Sequence, residues 1–169
     1  MRALNHSDVA RVFNLVFVDH KVVMNGGHAE PLYIPGVRIA EIQYRQDYAA
    51  SALHEAAHWC IAGQRRRRLK DYGYFYSPPP RTEVDRARFE AVEVEAHSME
   101  LLFSEAAGLR FQPSADDVDA PINGLDTFSH RILIRARERR RLGLPERAQK
   151  FVTALLNERQ GNLGLAAGG

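Results

Sequence analysis

Cysteine is almost absent from this chain of 169 residues, and the single Cys60 excludes an intramolecular disulfide framework. That scarcity suits a reducing compartment. No stretch approaches the roughly 18 apolar residues that a membrane span needs. The opening Met1-Arg2-Ala3-Leu4-Asn5-His6-Ser7 has no apolar run to serve as a signal peptide. The expectation is a cytoplasmic protein without membrane association. Internal repeats are also lacking, and the only low-complexity segment is a short arginine run. With 45% hydrophobic and 26% charged residues, the composition is that of one compact domain able to bury a core. Residues 1–160 are expected to form it, with a disordered tail over 161–169.

Net charge is only +2, yet the basic residues are gathered into two clusters. One is Arg65-Arg66-Arg67-Arg68-Leu69-Lys70; the other is Arg135, Arg137, Arg139, Arg140 and Arg141 on a helical pattern. Each reads either as a solvated helix end or face, or as a docking surface for an acidic partner, a protein rather than a nucleic acid.

The periodicity is mainly helical. Ser7 and Asp8 are candidate caps for a helix carrying Val9, Val12, Phe13, Val16 and Phe17. Gly26-Gly27 breaks that pattern, and 31–36 and 37–44 then read as extended segments of a small sheet. A helix spans 48–62 and stops at Gly63. Tyr72-Gly73-Tyr74-Phe75-Tyr76, followed by three prolines, reads as an aromatic strand and a rigid loop. Further helices are expected over 85–107, 127–141 and 146–158, with a loop rich in Asp, Pro and Gly before the second of them. The fold class is therefore α+β, a helix-dominated single domain with a small sheet and a zincin-like metal-bearing helix.

The chemistry concentrates in His54-Glu55-Ala56-Ala57-His58. Residues four apart share a helix face, so both imidazoles can reach one metal ion while Glu55 projects beside the open coordination position. The flanking residues are apolar, where two unpaired histidines would be costly. A metal would satisfy them; so would hydrogen bonding within the core. A complete site needs a third ligand. The segment Phe89-Glu90-Ala91-Val92-Glu93-Val94-Glu95-Ala96-His97 offers Glu93, with Glu90 and His97 on the same face as alternate ligands or as partners that orient an imidazole. Zinc with an activated water would make Glu55 the general base of a metallopeptidase. Iron in a two-histidine, one-carboxylate site would keep positions open for oxygen and substrate. Ligand types alone permit both.

The block from Ser51 to Gly63, Ser-Ala-Leu-His-Glu-Ala-Ala-His-Trp-Cys-Ile-Ala-Gly, resembles the signature of the bacterial elongation factor P hydroxylases. Trp59-Cys60-Ile61-Ala62-Gly63 is not a usual peptidase continuation. Glu30-Pro31-Leu32-Tyr33-Ile34-Pro35, Asp71-Tyr72-Gly73-Tyr74-Phe75-Tyr76, Phe89-Glu90-Ala91-Val92-Glu93-Val94 and Gly143-Leu144-Pro145-Glu146-Arg147 agree in order and approximate spacing. The resemblance covers about 9–157. It implies an oxygen-dependent hydroxylase that acts on the β-lysylated lysine of elongation factor P. His54, His58 and Glu93 would be the metal ligands, with Fe(II) as the metal, zinc or another divalent ion remaining open, and molecular oxygen as cosubstrate. The chain lacks the H-x-D spacing of 2-oxoglutarate-dependent oxygenases, so that cosubstrate is not implied. Elongation factor P is acidic in most bacteria, which gives the arginine run a use: Arg65 and Arg66, with Tyr74 at the substrate entry, are the candidate substrate-binding residues. The chain departs from the family at one point. Glu95-Ala96-His97 stands where the family carries Lys-Pro-Gln, which leaves the part played by His97 open.

Overall fold

A computed structural model describes residues 1–74, 82–112 and 122–162, with side chains from 127 in the last segment. Helix α1 (His6–Val16) is followed by β1 (Val22–His28), β2 (Leu32–Ile34), β3 (Ala40–Arg45), α2 (Ala49–Ile61), α3 (Glu83–Ala107), α4 (Ile122–Leu142) and α5 (Glu146–Arg159). The described residues form the expected helix-dominated α+β domain, and none of their helices is long and apolar enough to cross a membrane. The expected tail and the middle of the Asp-rich loop lie largely outside the described residues.

Helix α1 begins one turn earlier than its apolar pattern. Asn5 is the N-cap and accepts from the Asp8 amide at 2.9 Å, while the Asp8 carboxylate accepts from the Asn5 amide at 3.0 Å. Asp8 is thus the third residue of a reciprocal capping box, and Ser7 is not the cap. The sheet has the order β1-β3-β2, with β1 parallel and β2 antiparallel to β3. Strand β1 was not expected from the sequence, because Gly26-Gly27 sits inside it. The register shifts between Asn25 and His28, and Gly27 is left-handed at φ 88°. A Cβ on Gly26 would fall 2.4 Å from the Tyr44 ring. The glycines therefore make a bulge and a close ring approach, not a strand end.

The main core joins α1, α2, α3 and α5 through aromatic rings. Phe13 meets Trp59 at 5.3 Å and Phe151 at 5.5 Å, and Phe103 meets Phe151 at 5.0 Å. Each is buried, and each such side chain contributes about 2 kcal/mol or more by leaving water. Trp59 thereby fixes the rotation of α2. Its C-terminal carbonyls are held from a distance: Arg147 donates to the oxygens of Cys60 (3.0 Å) and Ala62 (2.5 Å), and Arg67 donates to Ala62. The Arg147 guanidinium also lies over the Trp59 ring, 4.7 Å from its centroid.

The second basic cluster is largely spent inside the molecule. Arg131 pairs with Glu90, Arg135 and Arg139 with Glu95, and Arg140 with Glu105, which ties α4 to α3. Of the five arginines in that cluster, Arg135, Arg139 and Arg140 already have carboxylate partners, which supports a paired, solvated helix face over a docking surface.

The expected aromatic strand is also corrected. Lys70–Gly73 is a tight 3-10 turn in which Asp71 and Tyr72 are left-handed, at φ 46° and 59°; Phe75 and Tyr76 lie outside the described residues. Such backbone costs about 1 kcal/mol or more per residue and needs outside support. Asp71 Oδ1 accepts from the Tyr33 amide at 2.9 Å, Arg66 donates to the Tyr72 carbonyl at 3.1 Å, and the Tyr33 and Tyr72 rings stack at 4.3 Å. The result is a buried Tyr72 ring set nearly parallel to His58, 6.1 Å away.

Candidate metal centre

Helix α2 turns Trp59 and its small and apolar residues into the core and leaves His54 and His58 facing α3. There they meet Glu93. His58 Nε2 lies 3.1 Å from Glu93 Oε1, and His54 Nε2 lies 3.6 Å from Glu93 Oε2. The two Nε2 atoms are themselves 3.1 Å apart. Two donors bound to one ion at about 2.1 Å, at angles between octahedral and tetrahedral, stand about 3.0 to 3.4 Å apart. The two 3.1 Å separations match that spacing and the 3.6 Å one lies slightly beyond it, so the residues present fit a divalent metal.

His97, one helical turn beyond Glu93, joins the same cluster. Its Nε2 is 3.5 Å from Glu93 Oε2, and its ring is 4.4 Å from that of His54. His54, Glu93 and His97 each offer one donor atom, all within 4.8 Å of one another. Glu90, the other alternate from the sequence, points away and pairs with Arg131 at 2.6 Å.

Glu100 was not singled out from the sequence. Its Oε2 accepts from His54 Nδ1 and from His97 Nδ1, both at 2.8 Å. A glutamate inside Ser98-Met99-Glu100-Leu101-Leu102-Phe103 is costly to bury unless paired, and that was the available signal. Among the described residues His58 has no equivalent anchor: its buried Nδ1 meets no partner there.

The electrostatics follow from this arrangement. Burial opposes charge on His54, but Glu100 and Glu93 outweigh it and raise the imidazole well above its usual pKa. Burial likewise opposes charge on Glu93 and Glu100, and the histidines around them hold both carboxyls below the usual range. The pocket thus favours bound positive charge, which a cation can supply in place of protons. Glu55 differs. Burial raises its pKa, only partly offset by His58 and His54. A carboxylate of that kind is a stronger base than an exposed one. Cys60, pushed up to about 12 by burial, is an inert core thiol.

Among the candidate substrate-binding residues, Tyr74 is half-buried with its ring 6.4 Å from that of His58, and the Arg66 guanidinium lies 4.6 Å over it. Tyr74 also lines an open cleft of about 330 Å³ with Ile61, Ala91, Val92, Arg139 and Pro145. Arg65 is exposed.

A family model described as elongation factor P hydroxylase matches residues 12–164. A curated protein of Haemophilus influenzae, named elongation factor P lysine hydroxylase, is 34% identical over 153 residues, covering 88% of this chain and 86% of the relative.

Proposed function

Because the chain belongs to the elongation factor P hydroxylase family, we propose that it adds a hydroxyl to the β-lysylated lysine of elongation factor P, in a reaction that depends on a metal and molecular oxygen. The observation that carries the metal dependence is the meeting of His54, His58 and Glu93 at the spacing of donors around one ion. Those three residues would hold Fe(II), which would supply the activation of molecular oxygen.

The remaining work belongs to the chain's own groups. Glu55, on the metal-bearing helix and raised in pKa, holds or moves a proton next to the reacting atoms. The Tyr72 ring walls one side of His58 and excludes water there. Tyr74, pinned by Arg66, leads from the cleft toward the metal and guides the long substrate side chain. Exposed Arg65 attracts an acidic partner, an effect that weakens in salt. The cytoplasm, where translation factors work, is the proposed compartment.

A second reading rests on Glu55 itself. A half-buried carboxylate of raised pKa inside H-E-x-x-H also suits a zinc peptidase, with Glu55 as general base. One experiment separates the two: the intact mass of β-lysylated elongation factor P after incubation with this protein, Fe(II), a reductant and air. A gain of one oxygen atom that is lost in His54→Ala supports the hydroxylase. An unchanged mass together with zinc-dependent peptide cleavage, abolished in Glu55→Gln, would replace it with the peptidase.

A further inference from the structure

We infer that His97 is a metal ligand in this chain, so that the centre holds its ion by three imidazoles and one carboxylate, with Glu100 orienting two of the imidazoles together. The inference rests on the reading of this cluster as a metal centre. It does not depend on which substrate is used.

Hydrogen placement carries the first step. A carboxylate only accepts, so both nitrogens that face Glu100 Oε2 at 2.8 Å must be N–H donors. With Nδ1 of His54 and of His97 protonated, the neutral form of each ring has its lone pair on Nε2. Both Nε2 atoms face Glu93, at 3.6 and 3.5 Å from the same oxygen, Oε2. These distances are too long for ordinary N–H···O hydrogen bonds and close to the spacing of two donors on one ion. One carboxylate therefore sets two rings in the metal-binding tautomer and aims them at the same point.

Packing carries the second step. The His97 side chain is only 3% exposed, and its ring is met edge-on by Phe128 at 5.7 Å and by Phe111 at 6.3 Å. Those rings hold its direction without offering a polar partner. His58, in contrast, has a buried Nδ1 that finds no orienting partner among the described residues. His54, Glu93 and His97 are accordingly the better preorganised donors, and His58 is the fourth.

Coordination number then limits the metal. Four protein donors close a tetrahedral zinc site, which would leave no position for an activated water. The same four leave two positions on a six-coordinate ion. The donor set favours an ion that takes more than four ligands.

The test is titration of the full chain with Co(II), and with Fe(II) under anaerobic conditions, for wild type and His97→Gln. Wild type should take up one ion and give the weak d–d absorption of five- or six-coordinate Co(II). His97→Gln should bind at least tenfold more weakly with an altered spectrum. Should the variant fold poorly, histidine-selective nitrogen NMR of zinc-loaded wild type should show three shifted Nε2 signals, without any substitution. Unchanged affinity and spectrum in His97→Gln, or only two shifted imidazoles, would make His97 a core histidine. A chain that binds metal through His97 yet leaves elongation factor P unmodified would retire the substrate reading alone.

Discussion

Helices α2 and α3 face each other across the candidate centre and contribute unequally. Helix α2 supplies two imidazoles on a segment whose other side is clamped in the aromatic core by Trp59. Helix α3 supplies Glu93, His97 and the carboxylate of Glu100, which fixes the imidazole of His54 from across the interface. On α2 both donors are present, but among the described residues only His54 is anchored; on α3 lie two donors and the group that does the anchoring. Orientation of the centre is therefore a property of α3. Damage to α3 should cost as much as damage to the more conspicuous H-E-x-x-H helix.

The largest expected effect is in His54→Ala. It removes the imidazole that shares both Glu93 and Glu100, and it should abolish stable metal binding, read as metal content after dialysis. Next come two substitutions at Glu100. Glu100→Gln keeps an accepting oxygen but removes the charge, and should weaken metal binding about tenfold. Glu100→Leu strands two buried N–H groups, and the loss should approach about 100-fold, measured by competition with a chelator. If Glu100→Leu bound metal normally, the asymmetry between the helices would disappear.

Smaller effects should mark the outer face of α3. Glu95→Gln removes the shared partner of Arg135 and Arg139, whose side chains are 34% and 25% exposed. Partial exposure limits the loss to about 1 kcal/mol, or a melting temperature lower by about 2 to 4 °C in calorimetry, with metal affinity kept. The smallest effect is that of Arg65→Ala, which should raise KM for elongation factor P a few-fold at low salt and leave kcat unchanged. A KM that ignores both salt and this substitution would remove Arg65 from docking.

The sequence carried the α2 half of the centre, because a four-residue spacing of like ligands stands out on an apolar helix. Glu93 needed the family resemblance, since Glu90, Glu93 and Glu95 are chemically alike and differ only in what faces them. In the fold, Glu90 and Glu95 turn to the arginines of α4, and Glu93 turns to the histidines. Glu100 went unread because its partners lie on two helices. The bulged strand β1 was hidden by Gly26-Gly27, the first needed beside the Tyr44 ring on β3 and the second for the left-handed backbone of the bulge. The turn at Asp71-Tyr72 was read as a strand because its left-handed backbone is imposed by Tyr33 and Arg66. Each miss depended on a contact between segments distant in the chain.

The most direct test of the account is anaerobic Fe(II) stoichiometry for wild type, His54→Ala and Glu93→Ala, measured side by side. One iron per wild-type chain, and none retained by either variant, is the predicted result. Iron retained at full stoichiometry in Glu93→Ala would contradict a centre built between α2 and α3.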